Sequence, residues 1–206
     1  MLIRQLSNGA KSLNDFCKTF EGGPGGTPAL KTYTFDDVVA AINSVQPYDW
    51  ADFFHKRLES LSPHAPLGGI EDGGWKVTYN STRSEMWRNH EDDNKTANLT
   101  YSIGLKVSEE GNISDVLYGG PAQKAGVSPA TKLIAVNGKQ YYPVVLREAV
   151  QAAMTNTAPV ELLVKIGEYY QTFKIDYHGG EMYPHLTRDE SKPDVLSKII
   201  EPLVKK

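Results

Sequence analysis

Gly119-Gly120-Pro121-Ala122-Gln123-Lys124-Ala125-Gly126, followed by Leu133-Ile134-Ala135-Val136-Asn137-Gly138, is the stretch on which the fold turns. Pro121 to Gly126 reads as a short helix. Proline suits a first helical turn, where its missing N–H would have no partner anyway, and glycine suits the end. Lys132 to Val136 then reads as a strand. Asn137-Gly138 supplies the two residues that most readily take the positive φ of a tight hairpin turn.

Working outward, Ile103, Leu105 and Val107 alternate as one strand, and Glu110-Gly111-Asn112 makes a turn. Ile113 to Leu117 is the next strand. Downstream, Val144 to Met154 has the period of an amphipathic helix, and Val160 to Ile166 and Tyr169 to Tyr177 form a hairpin around Gly167. The order strand, strand, short helix, strand, strand, longer helix, strand, strand predicts an α+β fold. Its centre is a small closed β-barrel with two flanking helices over residues 101–178.

The flanks differ in character. Residues 1–62 read as a helical segment. Ser12 with Asp15, and Thr34 with Asp37, are capping pairs, and a third helix runs from about Asp49 to Leu58 with Trp50, Phe53 and Phe54 on one side. Between the first two, Glu21 to Pro28 is a connector rich in Gly and Pro. A helical unit of this size is close to the lower limit for an independent core and calls for a larger partner surface. Residues 63–100 read as a connector punctuated by Pro63, Pro66 and several glycines, with a strand at Trp75–Tyr79 and a polar surface loop at Arg88–Asn98. Residues 179–206 are a tail with a helix from Asp189 to Val204, its apolar face made of Leu196, Ile199, Ile200 and Leu203.

The totals exclude several classes. With 206 residues, 40% hydrophobic, 23% charged and a net charge of −3, the composition is that of a globular protein without the basic stripe of a nucleic-acid binder. No apolar run approaches the roughly 18–20 residues of a membrane span, and the N-terminus has no signal-type apolar region. Cys17 is the single cysteine, so neither an internal disulfide nor a cysteine zinc cage is expected. Beside Phe16 in a helical pattern, it reads as a small packed hydrophobe.

In order and spacing, the 119–126 and 133–138 phrases, together with Ser102-Ile103-Gly104-Leu105, resemble PDZ domains. The resemblance implies a PDZ-like fold that binds a peptide or a protein C-terminus as an added strand at an open sheet edge, beside the longer helix. It implies a site made of Ser102, Ile103, Gly104 and Leu105, where the backbone N–H groups around Ile103, Gly104 and Leu105 would cradle a terminal carboxylate, and of Leu146, Val150 and Ala153 on the groove helix. Gly104 would permit close approach of the ligand. Leu146 stands where PDZ domains that prefer a hydroxyl-bearing side chain often carry His, so an apolar preference is expected at that ligand position. The turn at Pro129-Ala130-Thr131 departs from the usual Gly-Asp.

A wider resemblance covers nearly the whole chain. Gly9-Ala10-Lys11-Ser12-Leu13-Asn14-Asp15-Phe16-Cys17, Tyr33-Thr34-Phe35-Asp36-Asp37-Val38-Val39, Pro47-Tyr48-Asp49-Trp50-Ala51, Ala65-Pro66-Leu67-Gly68-Gly69-Ile70 and Tyr183-Pro184-His185-Leu186 resemble PDZ-containing glycyl aminopeptidases, which are thermolysin-like zinc metallopeptidases. It implies the C-terminal portion of a larger enzyme, with the catalytic domain upstream as partner and zinc expected there. No cofactor is expected in this chain. His90-Glu91-Asp92-Asp93-Asn94 lacks the second His of H-E-x-x-H and is expected in a polar, non-helical stretch. No phosphate loop and no G-x-S-x-G phrase is present. The alternative is a stand-alone scaffold that binds partner C-termini and has no peptidase domain.

Overall fold

The computed structural model describes residues 1–23, 30–62, 64–202 and 204. Residues 24–28 of the predicted connector, Pro63 and Leu203 therefore lie outside the described residues. The chain divides into two compact units, one formed by Met1–Lys76 with Thr187–Lys206, the other by Val77–Leu186. The predicted 101–178 segment lies wholly inside the second.

The first unit opens with α1 (Leu2–Leu6), α2 (Leu13–Phe20), α3 (Phe35–Val45), α4 (Trp50–Leu58) and α5 (Gly68–Glu71). Both capping boxes form as their spacing predicts. Ser12 N–H donates to Asp15 at 2.8 Å, and Thr34 N–H donates to Asp37 at 2.8 Å. Asp49 caps α4 by accepting the Asp52 N–H. The buried core of this unit is small: Ile3, Ile42 and Trp50, with Phe16, Val39, Phe53 and Phe54 half-buried around them. Leu13, Leu30, Tyr33 and Leu58 remain exposed.

Strand β1 (Trp75–Asn80) pairs with β9 (Tyr183–Arg188) in a two-stranded sheet, and the boundary between the units falls within both strands. The second unit continues with α6 (Glu85–Asn94), β2 (Thr96–Leu99), β3 (Leu105–Ser108), β4 (Asn112–Val116), α7 (Pro121–Lys124), β5 (Thr131–Val136), β6 (Lys139–Gln140), α8 (Pro143–Ala152), β7 (Val160–Ile166) and β8 (Tyr169–Ile175). The C-terminal helix α9 (Leu196–Ile200) is shorter than the 189–204 helix predicted, and Ile199 and Ile200 on its expected apolar face are exposed.

The large sheet is antiparallel, in the order β2-β3-β4-β5-β7-β8, with β6 paired to β5. It is an open sheet, not the closed barrel expected from the strand count, because its end strands β2 and β8 do not pair with each other. Its core takes alternate residues of β3 and β7, with Leu105, Val107, Leu162 and Val164 buried beside Leu146 and Val150 of α8, and an irregularity in β5 brings Leu133 and Val136 into the same core. The punctuation behaves as read. Pro121 opens α7, and Asn137 and Gly138 adopt φ of 48° and 77° in the β5–β6 turn. Asn137 also clamps β7, donating its N–H to the Glu161 carbonyl while its side-chain oxygen accepts the Glu161 N–H, both at 2.8 Å.

The stretch Arg88–Asn98, expected to be a surface loop, is instead the body of α6 and most of β2. Ser84 caps α6 through the Trp87 N–H, and Lys95 ends it at φ 51°. His90-Glu91-Asp92-Asp93-Asn94 is thus helical, correcting the non-helical expectation. Ile103 also lies in the turn before β3 rather than in the strand, with its side chain buried.

Candidate functional site

All seven residues predicted to meet a ligand lie in the second unit, and all seven are buried: Ser102, Ile103, Gly104, Leu105, Leu146, Val150 and Ala153. Ile103, Leu105, Leu146, Val150 and Ala153 share one apolar cluster. The sequence brings together the loop, the strand and the helix that it was expected to bring together. The open edge beside them is absent, for a specific reason.

Strand β3 is paired on both sides. Strand β4 takes one edge, and β2 takes the other, antiparallel, with Thr96 opposite Ser108 and Leu99 opposite Leu105. At its end, the Leu99 carbonyl accepts the N–H of Gly104 at 3.0 Å and the N–H of Ser102 at 3.1 Å. One of the amides predicted to cradle a carboxylate, that of Gly104, thus already holds a main-chain oxygen, together with the neighbouring Ser102 amide. The Leu99 side chain is fully buried in the same cluster as Leu105, Leu146 and Val150. Gly104 itself has φ +80°, which disfavours any side chain. A Cβ there would make only ordinary contacts with Leu117, Gly120 and Pro121 of the chain. The positive φ by itself accounts for a glycine in this turn.

The outer edge of β2 is covered as well. Glu109 N–H donates to the Lys95 carbonyl, and antiparallel alternation then turns the Asn98 N–H away from β3. That N–H donates to Glu91 Oε1 of α6 at 2.7 Å. The same oxygen accepts Arg147 Nη2 of α8 at 2.5 Å, and Glu91 Oε2 accepts Arg83 Nη1 at 3.1 Å. Arg147 Nη1 reaches Glu181 at 2.6 Å and the Tyr183 hydroxyl, which donates to Glu181. Burial works against the Arg147 charge, yet Tyr183, Glu91 and Glu181 outweigh it and hold the guanidinium pKa above its ordinary value. Burial, and then the bond to Glu181, push the Tyr183 phenol well above the usual range. Trp87 packs its ring at a tilt against Tyr101 and edge-on against Tyr183, which fixes α6 over this network. Sequence reading missed Glu91 and Arg147 because their pairing spans 56 residues and has no local signature.

Elsewhere in the unit, Ser102 Oγ accepts the Met182 N–H at 2.9 Å, a structural role for a predicted binding residue. His90 is exposed and meets Asn94 on its own helix. Among the described residues no group of three or more His, Cys, Asp or Glu side chains is placed to hold a metal ion. The residues present therefore do not fit the zinc centre that the aminopeptidase resemblance implies for a catalytic domain.

The fold is similar to that of an aminopeptidase N family protein. That protein, from Idiomarina loihiensis, matches 97% of this chain with a TM-score of 0.56 at 18% identity, so the likeness is one of fold. This chain spans about a third of that protein, 34% of its length. The HtrA3 PDZ domain bound to a phage-derived ligand (FGRWV) matches 55% of this chain and 91% of its own, at 17% identity and a TM-score of 0.28, too low to carry an argument. No family model and no curated protein matches. Among the described residues no helix is long and apolar enough to cross a membrane.

Proposed function

We propose that this chain is the C-terminal part of an aminopeptidase-type protein, a zinc glycyl aminopeptidase in the sense of the sequence resemblance. In this reading the second unit is its PDZ-type peptide-recognition module, and the first unit completes the upstream catalytic domain. The observation that carries the recognition role is the placement of β2. A strand runs antiparallel to β3, ends at the Ser102–Leu105 loop, and gives its last carbonyl to the amides of Ser102 and Gly104. That is the geometry of recognition by strand addition, realised within the chain. The small core of the first unit, with its exposed Leu13, Tyr33 and Leu58, supports a role as part of a larger domain.

The module reading is tested by fluorescence-polarisation titration with peptides ending in a free carboxylate and with the same peptides amidated. Saturable binding that weakens on amidation is the expected result. The absence of binding by any peptide, in variants that free β3 as well as in the parent chain, would refute it. The enzyme reading is tested on the intact gene product. Its reading frame should contain H-E-x-x-H upstream, and the full-length protein should release N-terminal glycine from peptides.

A second reading is favoured by the burial of all seven predicted residues. The second unit would then be a structural appendage whose groove stays filled.

A further inference from the structure

We infer that β2 is a displaceable internal ligand of the second unit, held by Glu91, and that its release opens a site for peptides with an aliphatic C-terminal residue. This rests on the recognition reading above and adds its regulation and ligand class.

Three observations carry it. First, β2 mimics a bound chain end. Leu99 is its last residue, its side chain is fully buried with Leu105, Leu146 and Val150, and its carbonyl occupies the Ser102 and Gly104 amides. A free carboxylate in that place would make the same contacts with charge assistance. Ala97, two residues before Leu99 and on the same side of the strand, is small and fully buried, so the residue third from the end is also expected to be small. Second, β2 is short. Its four residues end the sheet, and beyond the ladder with β3 its outer edge is held by the Asn98–Glu91 contact, which Arg147 of α8 and Arg83 fix in place. Third, among the described residues the two buried side-chain polar atoms without a hydrogen-bond partner are Trp87 Nε1 and Thr96 Oγ1, both in the α6–β2 segment. Each unsatisfied group penalises the closed arrangement relative to one in which it meets water. The apparent affinity for an outside peptide is then the intrinsic affinity scaled by the fraction of molecules with β2 released.

The test uses the whole chain and a fluorescein-labelled peptide of the sequence Lys-Thr-Ala-Asn-Leu with a free C-terminus. Glu91→Gln keeps an acceptor for Asn98 but removes the charge that binds Arg147 and Arg83. It is expected to tighten binding by about tenfold or more. Asn98→Cys with Lys106→Cys, in a Cys17→Ser background, joins a directly opposed pair of the non-hydrogen-bonded kind, which lies within reach of a disulfide. Oxidised, this variant is expected to lose binding; reduced, the same molecules are expected to regain it, which separates locking from misfolding. Equal binding by the oxidised and reduced forms overturns the proposal while leaving peptide recognition standing. Equal affinity of the parent and Glu91→Gln chains overturns the latch in the same way. Failure of every form to bind, reduced and Glu91→Gln included, overturns the recognition reading instead.

Discussion

Glu91 Oε1 receives the Asn98 N–H of β2 and the Arg147 guanidinium of α8 together, at 2.7 and 2.5 Å. One carboxylate oxygen thereby ties the end strand of the sheet to the helix that would flank a ligand. Glu91 is only 4% exposed, so these partners replace the water its carboxylate has lost.

Removing it should therefore be costly. Glu91→Ala leaves Arg147 without its buried carboxylate partner, with only the half-buried Glu181 remaining, and the Asn98 N–H without an acceptor. A loss of about 3–5 kcal/mol is expected in urea unfolding of the whole chain. A loss under about 1 kcal/mol would mean that the network contributes no more than an exposed ion pair does.

Ala130 carries the opposite sign. It stands at φ +60° in the turn before β5, a conformation that penalises an L side chain by about 1–2 kcal/mol. The sequence had marked this turn as unusual, because Pro129-Ala130 stands where Gly-Asp is common. Ala130→Gly should stabilise the chain by about 1 kcal/mol, read as a higher urea midpoint at unchanged slope. An unchanged or lowered midpoint would contradict the strain.

His178 links stability to pH. Its pKa is raised chiefly by the bond between Nδ1 and the Ala153 carbonyl at the end of α8; burial opposes this, and Asp176 at Nε2 adds to the rise. A folded-state pKa above the unfolded value of about 6.5 makes a contribution that is complete below that pH and lost as pH rises through the folded value. The melting temperature of the parent chain should exceed that of His178→Gln most at about pH 5.5, and the gap should close by about pH 8.5. A gap that widens with pH would contradict the assignment.

Leu146 separates packing from recognition. It is fully buried, so Leu146→Ala should destabilise by about 2–5 kcal/mol whether or not a peptide is present. In the bound form, the recognition reading also predicts that peptides with Ser or Thr opposite Leu146 bind less well than apolar ones. A peptide library preferring Ser or Thr there would contradict that reading.

The difference between what was legible and what was not follows the range of the interactions. Ser12 with Asp15, Thr34 with Asp37, Pro121 at the start of α7 and Asn137-Gly138 are local devices, and each formed where it was read. Helix α6 escaped because Glu85–Asn94 is almost wholly polar and shows no apolar stripe, and because it ends on Lys95 at positive φ instead of on glycine. Its one early signal was Ser84, a cap for Trp87. Strand β2 escaped because Thr-Ala-Asn-Leu is too short to establish a period. Missing both meant missing the occupant of the groove. The loop and helix residues therefore lie buried together where an open groove was expected.

The filling of that groove is tested most directly by hydrogen exchange at the Ser102 and Gly104 amides, without any peptide. Donated to the Leu99 carbonyl, they should exchange as slowly as the amides of the interior strand β7, and faster in Glu91→Gln. Exchange in the parent chain at the rate of an open surface loop would contradict the account.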